Sequence, residues 1–372
     1  MIDNIRITNF KSILDIELPL STLNIFVGDN KSGKTNILDA ISLSTASSNF
    51  LLTDDLIKNC SIENYSPDIL YPNFDNIDKD KILLNNTFVF GEDILLISLY
   101  YDPETQTWKN GWEKIEILKE KFKETKEKGP QNISEEEFKL ATKQAQKIIK
   151  EFENKIKTFI ENHKKLQFQF FNFSFDESKV DIPNNYNKLS PIGKNGEGLF
   201  NYLKDIQKQP LRKLLIKEIA GLITYLNCYE NKKEIKDTLT KLYKKGNINE
   251  IVNFFEQQRD NKKFMATMFY MTILVSDEVP HFFAIENMEE IFTPNECKSI
   301  IKQLAEIAVE IKKQIIVTLK NINIIKDFDL DDKTYSLLSI YRNKDGVTNV
   351  KEILTQIDKN FKYDIWMKKF FE

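Results

Sequence analysis

Histidine is almost absent from this sequence. His163 and His281 are the only two in 372 residues, so a zinc site built on imidazoles or a histidine-dependent nuclease has nothing to draw on. Cysteine is nearly as scarce. Cys60, Cys228 and Cys297 lie far apart with no metal-ligand spacing, which excludes a Cys/His metal framework and leaves buried free thiols as the reading. An odd count of three suits a reducing compartment. No Ser/His/Asp or Cys/His set can be assembled. No apolar run approaches the roughly 18–20 residues of a membrane-spanning helix; Met265–Val275 is apolar but short and flanked by charge. The N-terminus lacks an apolar core behind a basic start, so no signal peptide is expected, and the chain reads as soluble and cytoplasmic. An excess of one charge is also missing: 53 basic side chains face 56 acidic ones, a net charge of −3. The chain as a whole therefore carries no basic nucleic-acid footprint, although a local basic face stays open.

What is present is a large apolar fraction, 41% of residues, enough for a sizeable core. Ile5, Ile7, Phe10, Ile13, Ile16 and Leu18 alternate with polar residues, as strands do. Leu23–Val27 is apolar at every position but Asn24, the pattern of a strand covered on both faces. From Lys34 the period becomes helical, with Ile37, Leu38, Ile41 and Leu43 on one side. Residues 47–85 read as a loop-rich insertion, and Thr87–Phe90 and Ile94–Tyr101 as neighbouring strands. Residues 111–165 are the most charged stretch, broken at Gly129-Pro130. A capping box at Ser134/Glu137 opens a second arm whose apolar seam runs from Phe138 to Phe159. That seam fits a helix lying on the globular body or a short protruding helical hairpin. Leu166–Phe175 is strand-like, Asn185–Gly198 a loop, and 200–275 helical with a break at Gly246-Asn247. His281–Ile285 and Gln314–Leu319 read as two further buried strands with a helix, Pro294–Lys312, between them. Leu337–Arg342 and Thr348–Ile353 are expected to form a hairpin.

One motif carries chemistry. Gly28-Asp29-Asn30-Lys31-Ser32-Gly33-Lys34-Thr35 fits G-x-x-x-x-G-K-[ST] in full, between a buried strand and a helix. Gly28 and Gly33 let the backbone curl without a side chain in the way. The curled amides form an anion nest and the helix adds its positive end. Lys34 can then bridge the β- and γ-phosphates of ATP, and the Thr35 hydroxyl can ligate Mg²⁺.

The flanking residues narrow the type. "ITNFKSILDIEL" followed by "LNIFVGDNKSGKTNILDAISL" resembles the opening of RecF, SMC and related ABC-type ATPases. Asn30, Ser32, Asn36, Leu38, Asp39 and Ala40 fall on that group's pattern. The resemblance places Lys11 near the nucleotide, as a phosphate contact or simply as a solvated lysine. "PHFFAIENMEEIFTPNECKSIIKQLAEIAVEIKKQIIVTLKN" is similar to the stretch from Walker B to the H-loop. It implies Glu286 as the acid that, with Thr35, holds Mg²⁺, Glu289 as a second acid and Pro294 as the group's proline. The resemblance covers about 1–45 and 265–345. It implies a mixed α/β ABC-type P-loop ATPase head, a mixed sheet with flanking helices, carrying a helical lobe and a helical hairpin insertion. The expected divisions are 1–110 and 276–372 for the two parts of the head, 111–165 for the hairpin and 166–275 for the lobe. Many members of the group, similar to the overcoming-lysogeny-defect ATPase domains, serve in bacterial anti-phage systems.

The sequence departs from the group's pattern in three places. The catalytic-glutamate position is Asn287, whose amide can orient water but cannot take its proton. The H-loop histidine is Lys320. The Ser-x-Gly signature before the helix Phe264–Leu274 is replaced by Asn261 and Lys263, the lysine supplying a side-chain cation where a partner subunit's γ-phosphate would sit. Glu286, Asn287, Glu289 and Lys320 are thus the catalytic candidates, and Gly28–Asn36 with Lys11 the nucleotide-binding ones. The reading that follows is a slow ATPase working as sensor or scaffold, a homodimer or larger assembly through its heads. It would hold a separately encoded effector, a nuclease or toxin, with DNA or a phage component as further partner classes and no membrane. A RecF-like DNA-repair ATPase and a non-hydrolysing ATP binder are the alternatives. The glycine-rich run Gly193–Gly198 is expected to be a plain loop, the aspartates at 327, 329, 331 and 332 a solvated one, and Phe168–Phe175 core packing rather than a base-stacking platform.

Overall fold

The computed structural model describes residues 1–48, 83–90, 93–102, 107–110, 168–173, 191–209, 213–225, 232–325 and 334–353, with Lys143 and Lys150 as single helical positions. The remainder of the charged segment 111–165, the insertion over 49–82, the aspartates at 327–332 and two of the cysteines, Cys60 and Cys228, lie outside the described residues.

The chain opens with β1 (Asn4–Phe10) and β2 (Ile13–Pro19), paired antiparallel with Ile7 opposite Ile16. Their alternating apolar side chains are buried on one face, as period two dictates. β3 (Leu23–Val27) is buried along its whole length and leads to α1 (Lys34–Ser48). β4 (Leu83–Phe90), β5 (Asp93–Asp102) and β6 (Thr107–Asn110) complete an antiparallel sheet of order β2-β1-β4-β5-β6. The β4–β5 pair is the expected one, longer at its outer ends. β6 carries no sequence signal, because four residues are too few to display a period. Its pairing with β5 defines it.

Among the described residues, β7 (Phe168–Phe171) is followed by five helices: α2 (Leu199–Lys208), α3 (Lys213–Tyr225), α4 (Lys232–Lys245), α5 (Ile248–Gln257) and α6 (Lys262–Val275). The expected break after α4 is real: Gly246 takes φ 67°, and the Asn247 side chain caps α5 by accepting from the amides of Asn249 and Glu250. Then come β8 (Phe282–Ile285), α7 (Pro294–Ile311), β9 (Gln314–Leu319), β10 (Tyr335–Arg342) and β11 (Thr348–Glu352). α7 starts as its sequence says, with Thr293 and Glu296 forming a capping box around Pro294 in the first turn.

The second sheet has the order β11-β10-β3-β9-β8-β7, parallel from β10 to β7 and antiparallel only at the β10–β11 hairpin. Its two faces bury different things. On one, Leu23, Ile25, Val27, Phe283 and Ile315 pack against the helices of the lobe and α7. On the other, Phe26, Ala284, Ile316 and Leu338 pack against α1 and the antiparallel sheet. Two faces covered in this way explain why β8 reads as an unbroken apolar run and why β3 and β9 are apolar apart from Asn24, Gln314 and Thr318. The architecture is the α/β one expected, a mixed sheet with flanking helices and a helical lobe. Among the described residues no helix is long and apolar enough to cross a membrane, and Cys297 is a buried free thiol.

One buried charge ties the lobe to the sheet. Lys313, just before β9, donates to the backbone oxygens of Ile273, at 3.0 Å, and Ser276, at 2.6 Å, at the C-terminal end of α6. Burial lowers its pKa to about 8, with Asp277 pulling weakly the other way. In the unfolded chain a lysine titrates near 10.4. Below about pH 8 both states are protonated and the folded state carries the full cost of the buried charge. Between about pH 8 and 10.5 the unfolded chain binds more protons, so this group makes the fold more stable as pH rises. Chemical denaturation at pH 7 and pH 9.5 should show wild type gaining about 2 kcal/mol relative to Lys313→Met over that interval. Parallel stabilities at both pH values would sink the assignment.

Candidate nucleotide-binding site

The parallel ladder brings the C-terminal ends of β7, β8, β9 and β3 to one edge. The Gly28 amide donates to Leu319 O at 3.1 Å, and the Glu286 amide to Phe171 O at 2.8 Å. The loop after β3 leaves from this edge. Lys31 and Gly33 have φ of 66° and 110°, the alternation that turns successive amides inward as a nest. A side chain on Gly28 would run into the backbone oxygen of Ile340, and one on Gly33 into the hydroxyl of Thr348. Both glycines are therefore required by close approach, and Gly33 by its conformation as well.

Lys34 folds across its own loop. Its ammonium donates to Gly28 O, to Asp29 O at 2.9 Å and to Ser32 Oγ at 3.4 Å. Burial lowers its pKa, with attraction to Glu289 opposing and repulsion from Lys320 adding. Thr35 donates its hydroxyl hydrogen to Glu286 Oε1 at 3.2 Å. These residues are 251 positions apart in sequence and meet because β3 and β8 end at the same edge. Glu286 is 7% exposed. Burial pushes its pKa up, Lys194 and the Thr35 bond pull it down, and Asp39 pushes it up again. A hydroxyl and a carboxylate, hard oxygen donors side by side next to an anion nest, fit a Mg²⁺ ion held together with nucleotide phosphates. Thr35 and Glu286 would be the protein's ligands, and the metal would supply charge neutralisation at the phosphates.

The other sequence candidates find definite partners. Asn287 follows Glu286 in the left-handed conformation, φ 56°, which asparagine tolerates better than most residues. Glu289 Oε1 accepts from the backbone amides of Lys320 and, at 3.2 Å, Asn321, so it braces the turn after β9. The Lys320 ammonium pairs with Glu290 Oε1 at 3.0 Å. Lys11, with φ 49°, pairs with Asp39 of α1 at 2.7 Å, so its charge is held against the helix rather than in solvent. Asn36 donates to Ser12 Oγ at 2.7 Å. Asn261 caps α6 by accepting from the Phe264 amide, and Lys263 pairs with Glu296 at 3.1 Å. Burial raises the Glu296 pKa, but bonds from Thr293 and Lys263 outweigh it, and the net shift is downward. Asp29, Asn30 and Lys31 line the exposed outer side of the loop.

Sequence reasoning missed two groups. Thr348 shares a 2.6 Å hydrogen bond with Ser12 and donates to Ser32 O at 3.3 Å, locking the loop to the β10–β11 hairpin. A threonine in a hairpin more than 300 residues away gives no local signal. The second is the glycine-rich run before α2. It is a loop, as expected, but it lies beside the site: the Asn172 amide at the end of β7 donates to Lys194 O at 3.1 Å.

No protein-family model matches the chain, and none of the curated proteins does. Among solved structures it is similar to the SMC head domain from Thermotoga maritima, at 11% identity and a TM-score of 0.44, over 95% of this chain and 99% of that one. It is similar to an SMC head bound to the C-winged helix domain of ScpA, at 13% identity and a TM-score of 0.49, over 95% and 98%. The recombination mediator protein RecF–ATPrS of the RecFOR pathway is a third, at 13% identity and a TM-score of 0.41, over 95% and 98%.

Proposed function

We propose that this chain is an ATP-binding, slowly hydrolysing ABC-type ATPase in which the nucleotide acts as a state-setting ligand. The observation that carries the reading is the meeting of Lys34, Thr35 and Glu286 at one sheet edge, with an amide, Asn287, where a water-activating carboxylate belongs. Phosphate binding is provided for by nest, helix end, lysine and metal ligands. Proton removal from water is not. Binding energy without rapid turnover holds one conformation until it is released.

In this proposal two or more heads sandwich ATP, with Lys263 at the start of α6 leaving Glu296 to face the γ-phosphate held by another subunit. The assembly works in the cytoplasm as sensor or scaffold for a separate effector, a nuclease or toxin, in an anti-phage complex. The division into head parts 1–110 and 276–372, lobe 166–275 and hairpin 111–165 belongs to the same proposal.

Lys34→Ala removes a cation from a partly buried phosphate site. It should weaken Mg²⁺–ATP binding by about 100-fold, the worth of two charge-assisted hydrogen bonds, measured by fluorescent-nucleotide titration. Light scattering with and without Mg²⁺–ATP should show wild type, but not this variant, shifting to a dimer or larger species. A wild type that binds ATP and remains a monomer contradicts the assembly part. ATP binding indifferent to Lys34 contradicts the whole.

A further inference from the structure

The six-residue run Gly193-Lys194-Asn195-Gly196-Glu197-Gly198 is more tightly built than a connecting loop needs to be. Gly193 and Gly196 take φ of 77° and 89°. The Glu197 carboxylate folds back to accept from the Asn195 amide at 2.8 Å, and it closes over Gly193 where a side chain would collide with it. The Gly198 amide donates to Ile192 O at 2.9 Å, and Gly198 then caps α2. The product of this construction is the placement of Lys194. Its ammonium stands 4.3 Å from the centre of the Phe170 ring, on the face of the sheet that packs against α1.

Two buried carboxylates lie on that side. Asp39 sits one helical turn beyond Thr35 on α1, so both point the same way. Its Oδ2 is taken by Lys11, while Oδ1 is buried with no hydrogen-bond partner among the described residues. Glu286 is the other. Lys194 attracts both, and the two carboxylates repel each other. An acid pair so little exposed is stable only with positive charge nearby. Lys11 serves Asp39; the ring-backed ammonium of Lys194 serves the Glu286 side.

We propose that Lys194 is the internal counter-ion of the metal side of the nucleotide site, balancing Glu286 and Asp39 when no divalent cation is bound and giving way when one is. Since Lys194 is fixed to the end of β7 and stands five residues before α2, its displacement couples occupancy of the site to the start of the helical lobe. The inference rests on the reading of the site as one for Mg²⁺–ATP.

The test is a Mg²⁺ titration of ATP binding, by fluorescent nucleotide at fixed ATP, for wild type, Lys194→Met, Lys194→Arg and Lys34→Ala, each checked for an unchanged melting transition. Removing the competing cation should lower the Mg²⁺ concentration for half-maximal binding by about five- to tenfold in Lys194→Met. Lys194→Arg should stay near wild type. Hydrogen exchange over residues 191–203 should respond to Mg²⁺–ATP in wild type and not in Lys194→Met. A Lys194→Met curve superimposed on wild type overturns the proposal, and so does one shifted to higher Mg²⁺, since Lys194 would then be holding phosphate. If Lys34→Ala binds ATP as wild type does, the parent reading fails and takes this one with it; if Lys34→Ala fails to bind while Lys194→Met matches wild type, only the counter-ion is lost.

Discussion

Asn287→Glu should raise steady-state ATP turnover by on the order of 100-fold. General-base assistance contributes about 10²–10⁴ in rate, and the wild-type residue at this position has an amide that can hold water without accepting its proton. The position directly follows Glu286, whose carboxylate meets Thr35 at 3.2 Å, so a new carboxylate would enter on the same strand end. The gain is set against a backbone cost. Residue 287 has φ 56°, a conformation that costs roughly 1–2 kcal/mol for a residue other than glycine, asparagine or aspartate. The variant should therefore melt lower while turning over faster, a pairing that simple structural damage does not produce. Coupled-assay turnover together with thermal melts would read both. A wild type that hydrolyses quickly and gains nothing from the glutamate removes the slow-switch reading and leaves an ordinary ATPase using Glu286 and Glu289 in other roles.

Gly28→Ala should destabilise the fold and abolish nucleotide binding together. The added methyl would meet the backbone oxygen of Ile340 and, at 2.8 Å, Ser32 Oγ. The first obstacle is fixed: β10 pairs in parallel with β3 on one side and with β11 on the other, so it cannot withdraw without breaking ladder hydrogen bonds. Overpacking against such a neighbour costs about 1–3 kcal/mol, and any relief obtained by moving the loop displaces the amides proposed to hold phosphate. Denaturant unfolding and nucleotide titration on one preparation would test this. A folded Gly28→Ala with wild-type ATP affinity would show that the loop tolerates a wider curl than the close approach of Ile340 implies.

Much of this was legible along the chain because it is local. The P-loop motif announces itself in eight consecutive residues, and a strand covered on both faces is mostly apolar, which is why Leu23–Val27 and Gln314–Leu319 coincide with β3 and β9 to the residue even though Asn24, Gln314 and Thr318 are polar. Thr293-Pro294 with Glu296 marks the start of α7 for equally local reasons of amide capping. β6 was not legible, being too short to show a period, and neither was its place at the edge of the first sheet.

The site divides along the same line. By itself the sequence pointed to Gly28–Thr35 as the place where phosphate would be held, and showed which residue types follow the strand at 282–285. Only the tertiary structure decided what each of those side chains touches. Strand order put Glu286 against Thr35 and the Phe171 end of β7 beside both. It also bound Lys11 to Asp39, Lys320 to Glu290 and Lys263 to Glu296, and set Thr348 under Gly33. The same packing gave the loop at Lys194, unremarkable as a string of glycines and polar residues, two buried carboxylates for neighbours. A charge acts through space, over distances that the chain crosses only after it has folded, so the partners of these lysines are fixed by the sheet and cannot be read from the residues on either side of them.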